Sequence, residues 1–123
     1  MAENFETLEA WRSAKELCLL CYKFSKKFPR EEMYGLGNQL QRAGVSVPSN
    51  IAEGYSRRTR REISRFLDIA LGSVFEILTQ IDIALELGYI NKTEKELIFS
   101  VAYKTIRLIN GFKKYRRTYG PES

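Results

Sequence analysis

Histidine is absent from this sequence. That absence closes the commonest catalytic chemistry first. Nucleophilic catalysis by Ser or Cys usually draws on a His base, and a di-iron bundle needs Glu-x-x-His on two helices. Ser46 and Ser49 have no Lys near them in sequence to take the place of a His base. No enzyme activity, metal or cofactor is therefore expected. Cysteine is nearly as scarce. Cys18 and Cys21 lie one helical turn apart and supply half of a zinc site that nothing else in the chain completes. An oligomer could pool four thiolates, but buried unreactive thiols are the simpler reading. A structural disulfide is not expected in a cytoplasmic chain. No apolar run approaches the roughly 18 residues that cross a bilayer. The start, MAENFETLEAW, is acidic and lacks a signal-peptide pattern, so the expected location is the cytoplasm, away from membranes. Strand patterns are missing too. The glycines of YGLGNQ (Gly35, Gly37) have no strand before them, which argues for a helix start rather than a nucleotide loop.

What is present is apolar spacing of three and four. The chain has 123 residues, 44% of them hydrophobic, enough for one domain with a real core. A single domain over 1–123 is expected, its core spanning about 8–115. The first segment, about Leu8 to Phe28, carries Leu8, Trp11, Ala14, Cys18, Cys21, Tyr22, Ser25 and Phe28 on one helical face. Pro29 ends it. The third runs from about Thr59 to Leu87, with Ile63, Phe66, Ala70, Val74, Ile77, Ile81 and Ala84 in phase and leucines widening the stripe. Thr59 and Glu62 read as a capping box, and Gly88 marks the end. The fourth starts near Thr93, with Glu96 three residues on, and carries Leu97, Val101, Thr105, Leu108 and Phe112. It is expected to fray near Tyr115, leaving TYGPES as a tail.

The second segment contains Pro48. Leu36, Leu40, Ala43, Val47 and Ile51 stay in helical phase on both sides of it. Gly44, four residues back, leaves room where the proline ring crowds the backbone. One helix from about Met33 to Tyr55, kinked at Pro48, is the favoured reading. Two short helices, the second capped by Asn50, are the competing one. Four amphipathic segments with short connections predict an all-α fold, an antiparallel up-down-up-down four-helix bundle.

The net charge is +5, and two short segments carry more than all of it. Residues 57–65, RRTRREISR, hold five Arg and one Glu; residues 113–117, KKYRR, add another +4. Arg57, Arg58, Arg60, Arg61 and Arg65 read either as a solvated helix start or as an anion site. Cations at a helix N-terminus oppose the dipole, which favours an anionic partner, and Arg matches phosphate bidentately. Lys113, Lys114, Arg116 and Arg117 suit a helix C-terminus on structural grounds alone. In this reading the two clusters fall at opposite ends of the bundle. Arg42, Ser46, Ser49, Glu53 and Arg57 form a polar stripe roughly opposite the apolar stripe of the second segment. It reads equally as a solvent face or as a contact between subunits. Asp68, Asp82 and Glu86 read as a solvated face or an oligomer contact.

The segment RAGVSVPSNIAEGYSR (Arg42–Arg57), followed by the G-S-x-x-E stretch Gly72, Ser73 and Glu76, resembles the hallmark of the 23S rRNA-intervening-sequence protein family. This family is also called four-helix bundle or S23 ribosomal protein-like. LEAWRSAKELCLLCY and ISRFLDIALGSVFEILTQIDIALELGYI are similar to it as well, so the likeness spans about Leu8 to Lys114. The resemblance implies a bacterial cytoplasmic bundle that assembles as a ring-like homopentamer. It carries no established catalytic residues. Relatives in diversity-generating retroelements imply a basic surface for nucleic acid and for a co-encoded protein. The expected function is binding of structured RNA or DNA through Arg57, Arg58, Arg60, Arg61 and Arg65, with Lys113, Lys114, Arg116 and Arg117 second. Arg42, Ser46, Ser49 and Glu53 are the expected oligomer interface. The alternative is a protein scaffold whose arginines meet an acidic partner.

Overall fold

The computed structural model describes residues 4–119. They form four helices, α1 Glu9–Ser25, α2 Leu36–Ser56, α3 Arg60–Glu86 and α4 Lys92–Tyr119. Single 3-10 turns, Phe5–Thr7 and Arg30–Glu32, precede α1 and α2. No strand occurs among the described residues. The expected C-terminal tail falls mostly outside them, but Thr118 and Tyr119 continue α4, so the helix does not stop at Tyr115.

Local chemistry sets the ends. The α3 N-terminus is capped by Thr59, whose Oγ accepts from the Glu62 N–H at 3.1 Å. The Thr59 hydroxyl donates to the Glu62 carboxylate in return, so the expected pair forms through the hydroxyl. At its other end Gly88 takes φ 79°, which suits a residue without a Cβ. Tyr89 N–H then bonds to Ala84 O at 2.9 Å and Gly88 N–H to Leu85 O at 3.0 Å, a Schellman closure. The α4 cap differs from expectation by two residues. Asn91 and Glu94 exchange side-chain-to-backbone bonds, each 2.8 Å, and displace Thr93 and Glu96 from that role. Asn91 prevails because its Oδ1 reaches the Glu94 N–H directly. At α2, Gly35 sits in the cap position, and the Glu32 carboxylate accepts from the Leu36 N–H at 3.0 Å.

The α2 helix runs unbroken through Pro48. The competing division into two helices is not observed: Asn50 lies mid-helix and donates to Ser46 O at 2.8 Å. Gly44 has a further use. A Cβ there would stand 3.0 Å from Cys21 Cβ and 3.3 Å from its Sγ, so its bare face lets α1 and α2 approach closely.

Each helix packs on its sequence neighbours, and α4 closes the square against α1. Connections this short make neighbours antiparallel. The core holds Leu17, Phe24, Leu40, Val47, Ile51, Ile63, Leu67, Val74, Ile77, Ile81, Ile98 and Ile109, all fully buried or nearly so. Each is worth roughly 1.5–3 kcal/mol relative to exposure. Its stripe on α2 is the expected one, and so is that on α3, except that Leu67 is fully buried and Phe66 only half-buried. On α1 the stripe runs instead through Ala10, Ala14, Leu17, Cys21, Phe24 and Phe28, while Tyr22 is exposed and Cys18 half-buried. On α4 it runs through Ile98, Ala102, Thr105 and Ile109, while Leu97 is exposed. A buried polar pair enters this core. Ser13 and Thr105 join α1 to α4 through a buried hydroxyl bond of 2.7 Å, and Thr105 also donates to Val101 O.

Candidate nucleic-acid interface

Both basic clusters stand at the same pole of the bundle. The expectation that they lie at opposite ends is wrong, for a reason of connectivity. In an up-down-up-down bundle α4 ends where α2 ends and α3 begins. Direct contacts fix this. Near the end of α2, Tyr55 stacks on Phe112 of late α4, centroids 6.3 Å apart. Lys113 Nζ reaches Asp68 Oδ1 of early α3 at 2.5 Å. At the other pole Tyr89 donates to Glu32 at 2.9 Å, and Lys27 pairs with Glu94.

Between the first turns of α3 and the last of α4 lies a cleft of about 340 Å³, lined by Arg60, Arg61, Ile63, Ser64, Lys113, Arg116 and Arg117. Thus residues of the two clusters, some fifty positions apart in sequence, line one concave site. Arg61 and Arg65 continue outward over a shallower adjoining hollow that also contains Asp68 and Ile69.

The arginines divide by what already holds them. Arg57 is engaged: its guanidinium bonds to Glu53 at 2.6 Å and sits 4.9 Å from the Phe66 ring centroid. Glu53 and Arg57 stand four residues apart, the spacing at which such pairs meet on a helix. Lys113 is held by Asp68. Arg116 lies over Phe112, 6.0 Å from its centroid, and its Nε is shut off from solvent without a partner among the described residues. Arg58, Arg61, Arg65 and Arg117 pair with no carboxylate among the described residues. Arg58 and Lys114 are exposed and line neither hollow. Sequence reasoning missed Ser64, Ile63, Asp68 and the two ring platforms. Phe66 and Phe112, each set beside Arg or Lys in sequence, were the available signal.

The opposite pole is mixed. Lys26, Lys27 and Arg30 stand beside Glu31 and Glu32, and Lys92 and Lys95 beside Glu94 and Glu96. Asp82 bonds to Lys95 at 3.1 Å, so Asp68 and Asp82 both serve as α3–α4 ties rather than a bare solvated face.

The polar stripe of α2 is not wholly outward. Ser46 is half-buried and accepts from Ser73 Oγ of α3 at 2.8 Å. Arg42, Ser46, Ser73, Glu76 and Gln80 line a polar groove between the two helices. There Gln80 Oε1 is buried without a partner among the described residues. Ser49 and Glu53 are exposed beyond it. Gly72 is open, since a Cβ there would meet nothing within 4 Å. Val45, Ile69, Phe75 and Ile83 are exposed on α2 and α3.

The two thiols are quiet. Burial pushes Cys21 far above the ordinary thiol range, with Cys18 adding to the effect, and burial raises Cys18 as well. Among the described residues no cluster of His, Cys, Asp or Glu is arranged to hold a metal, and no helix is long and apolar enough to cross a membrane.

Comparison with known proteins agrees with this architecture. No curated protein matches the chain. Among solved structures, a protein of unknown function from the S23 ribosomal protein family of Bacteroides thetaiotaomicron VPI-5482 is similar. Its TM-score is 0.78 at 21% identity, over 85% of this chain and 95% of that one. At that identity the likeness speaks to the fold. The family model for the 23S rRNA-intervening sequence protein matches residues 6–111. A bundle with these four helices, matched over nearly its whole length, belongs to the 23S rRNA-intervening sequence protein family.

Proposed function

We propose that this protein is a non-enzymatic, homo-oligomeric bundle of the cytoplasm that binds structured RNA or DNA through its basic pole. The observation that carries this reading is the shared cleft, where Arg60, Arg61, Lys113, Arg116 and Arg117 converge from two distant stretches. Arginines lining one concave wall suit phosphate oxygens, and a site built from them reads backbone rather than base edges. Sequence preference is weak and salt dependence steep.

Homo-oligomerisation is supported by features that one copy leaves unexplained; the ring of five rests on the family resemblance alone. An open mid-helix glycine costs about 1 kcal/mol against Ala, yet Gly72 earns no packing within the chain. Gln80 Oε1 lacks a partner in the adjoining groove. A neighbouring helix seated there would account for both. Gly72→Leu is expected to break the assembly, read by sedimentation velocity, while leaving helicity unchanged.

The test of binding is fluorescence anisotropy with a labelled structured RNA, over about 50 to 200 mM salt. Submicromolar affinity that falls steeply with salt is expected. The doubly substituted R61A/R117A protein should bind at least about tenfold more weakly. Arg57→Ala should cost less, since Glu53 and Phe66 already occupy that guanidinium. Absence of binding at the lowest salt would refute the reading and turn the arginines toward an acidic protein partner.

A further inference from the structure

The cleft has a shape and a charge density that a duplex flank does not need. Resting on the nucleic-acid reading above, we infer that it is the seat of a terminal phosphomonoester, the phosphorylated end of a nucleic-acid strand. Size is the first argument. A volume of about 340 Å³ is small for a binding pocket, near the lower end of the roughly 300–1,000 Å³ that ligand sites occupy. It suits a group no larger than a nucleotide. An internal phosphodiester continues into the chain on both sides, and both continuations must clear the walls from α3 and α4. A terminal phosphate continues on one side only and can enter end-on.

Charge is the second argument. An internal diester carries one negative charge. A phosphomonoester carries about −1.5 to −2 at neutral pH and offers three acceptor oxygens. The cleft concentrates Arg60, Arg61, Arg116 and Arg117 around one hollow, with Lys113 shared with Asp68. Four arginines lining one hollow carry more positive charge than one singly charged diester balances. The Ser64 hydroxyl adds a neutral donor to the same lining. Ile63 gives an apolar wall, and the Phe112 ring backs Arg116. These features fit a compact dianion held inside the cleft, with the rest of the strand leaving over Arg65.

The experiment compares one labelled single strand in three forms: 5′-phosphate, 3′-phosphate, and hydroxyl at both ends. Anisotropy titrations are run at a fixed salt concentration of about 100 mM. The expected result is about tenfold tighter binding of one phosphorylated form than of the hydroxyl form, and the arm that gains identifies which end is read. Equal affinity for all three would overturn the inference while leaving the proposed function standing. Failure of every form to bind would remove both. Inorganic phosphate serves as competitor. If it displaces the phosphorylated strand at concentrations equal to the strand's own, the seat reads a free anion and the inference falls. Ser64→Trp fills the cleft and leaves every cation in place. In a protein of unchanged helicity it should abolish the preference for the phosphorylated end and spare binding of the hydroxyl form. Persistence of the preference in that folded variant would place the seat elsewhere. The comparison of the three forms on the unaltered protein decides the matter if Ser64→Trp fails to fold.

Discussion

Asp68 holds back one of the cations of the cleft, and removing its charge should strengthen binding. Its carboxylate lies 2.5 Å from Lys113 Nζ and lines the hollow beside Arg61 and Arg65. A phosphate approaching Lys113 must share that ammonium with an acid and meets the acid's own charge. The substitution Asp68→Asn keeps the size and removes both penalties. Asp68 is more than half exposed and Lys113 about a quarter. A pair so open to water gives the fold only about 0.2–1 kcal/mol, so Tm should fall by no more than about 5 °C. For binding, one unit charge removed at contact range in a watery setting is worth about 1 kcal/mol, or roughly fivefold in affinity. The freed cation should also steepen the slope of log affinity against log salt by about 0.9 on duplex. Anisotropy titrations at four salt concentrations give both quantities. Asp82→Asn, which breaks the equivalent tie to Lys95 at the far pole, is the control and should change neither. Unchanged or weaker binding by a folded Asp68→Asn protein would refute the placement of the anion beside Lys113.

Gly44→Val should destabilise the protein by about 1–3 kcal/mol, read by urea denaturation, because its side chain has only the crowded space over Cys21 and the Cys18 backbone; an unchanged midpoint would mean that α1 moves away at no cost. Glu94 offers a pH test. Its bond to Lys27, then the Asn91 N–H, hold its carboxyl below the ordinary carboxylate range. A lowered folded-state pKa gives stability that is present above the unfolded value and lost as pH falls through the folded one. Glu94→Gln can still accept from Asn91 but loses the charge. The Tm gap between the two proteins should therefore be open at neutral pH and close in the acid range, and a gap constant with pH would refute the assignment.

Sequence periodicity disclosed the number and type of the helices because each carries several turns of in-phase apolar residues. The α2 stripe and, apart from Phe66, the α3 stripe match the buried faces for that reason. On α1 the apolar residues run nearly all round, with Leu17, Cys18, Leu19, Leu20 and Cys21 consecutive, so spacing alone does not choose between the face of Leu17 and Phe24 and the face of Cys18 and Tyr22. Leu97 and Ile98 present the same ambiguity on α4. Packing decides it. For the site, charge runs identified the arginines but not their company. The cleft joins Arg61 to Arg117, and only the direction of four antiparallel helices puts them together. The order of four helices with short connections already implies this meeting, because α4 ends at the pole where α2 ends and α3 begins. The Ser46–Ser73 bond and the Asp68–Lys113 tie needed the side-chain positions themselves.

The unequal poles make the molecule an electric dipole. One end holds both arginine and lysine clusters, whereas the other intermingles its acids and bases. In the field of a polyanion such a body experiences a torque as well as a pull. It turns its cationic end forward while still about a Debye length away, some 8–10 Å at ordinary ionic strength, so collisions begin with the right end leading. A modest net charge can in this way act on association rate through its position. Moving the same charges to the far pole would leave the isoelectric point untouched and slow the encounter.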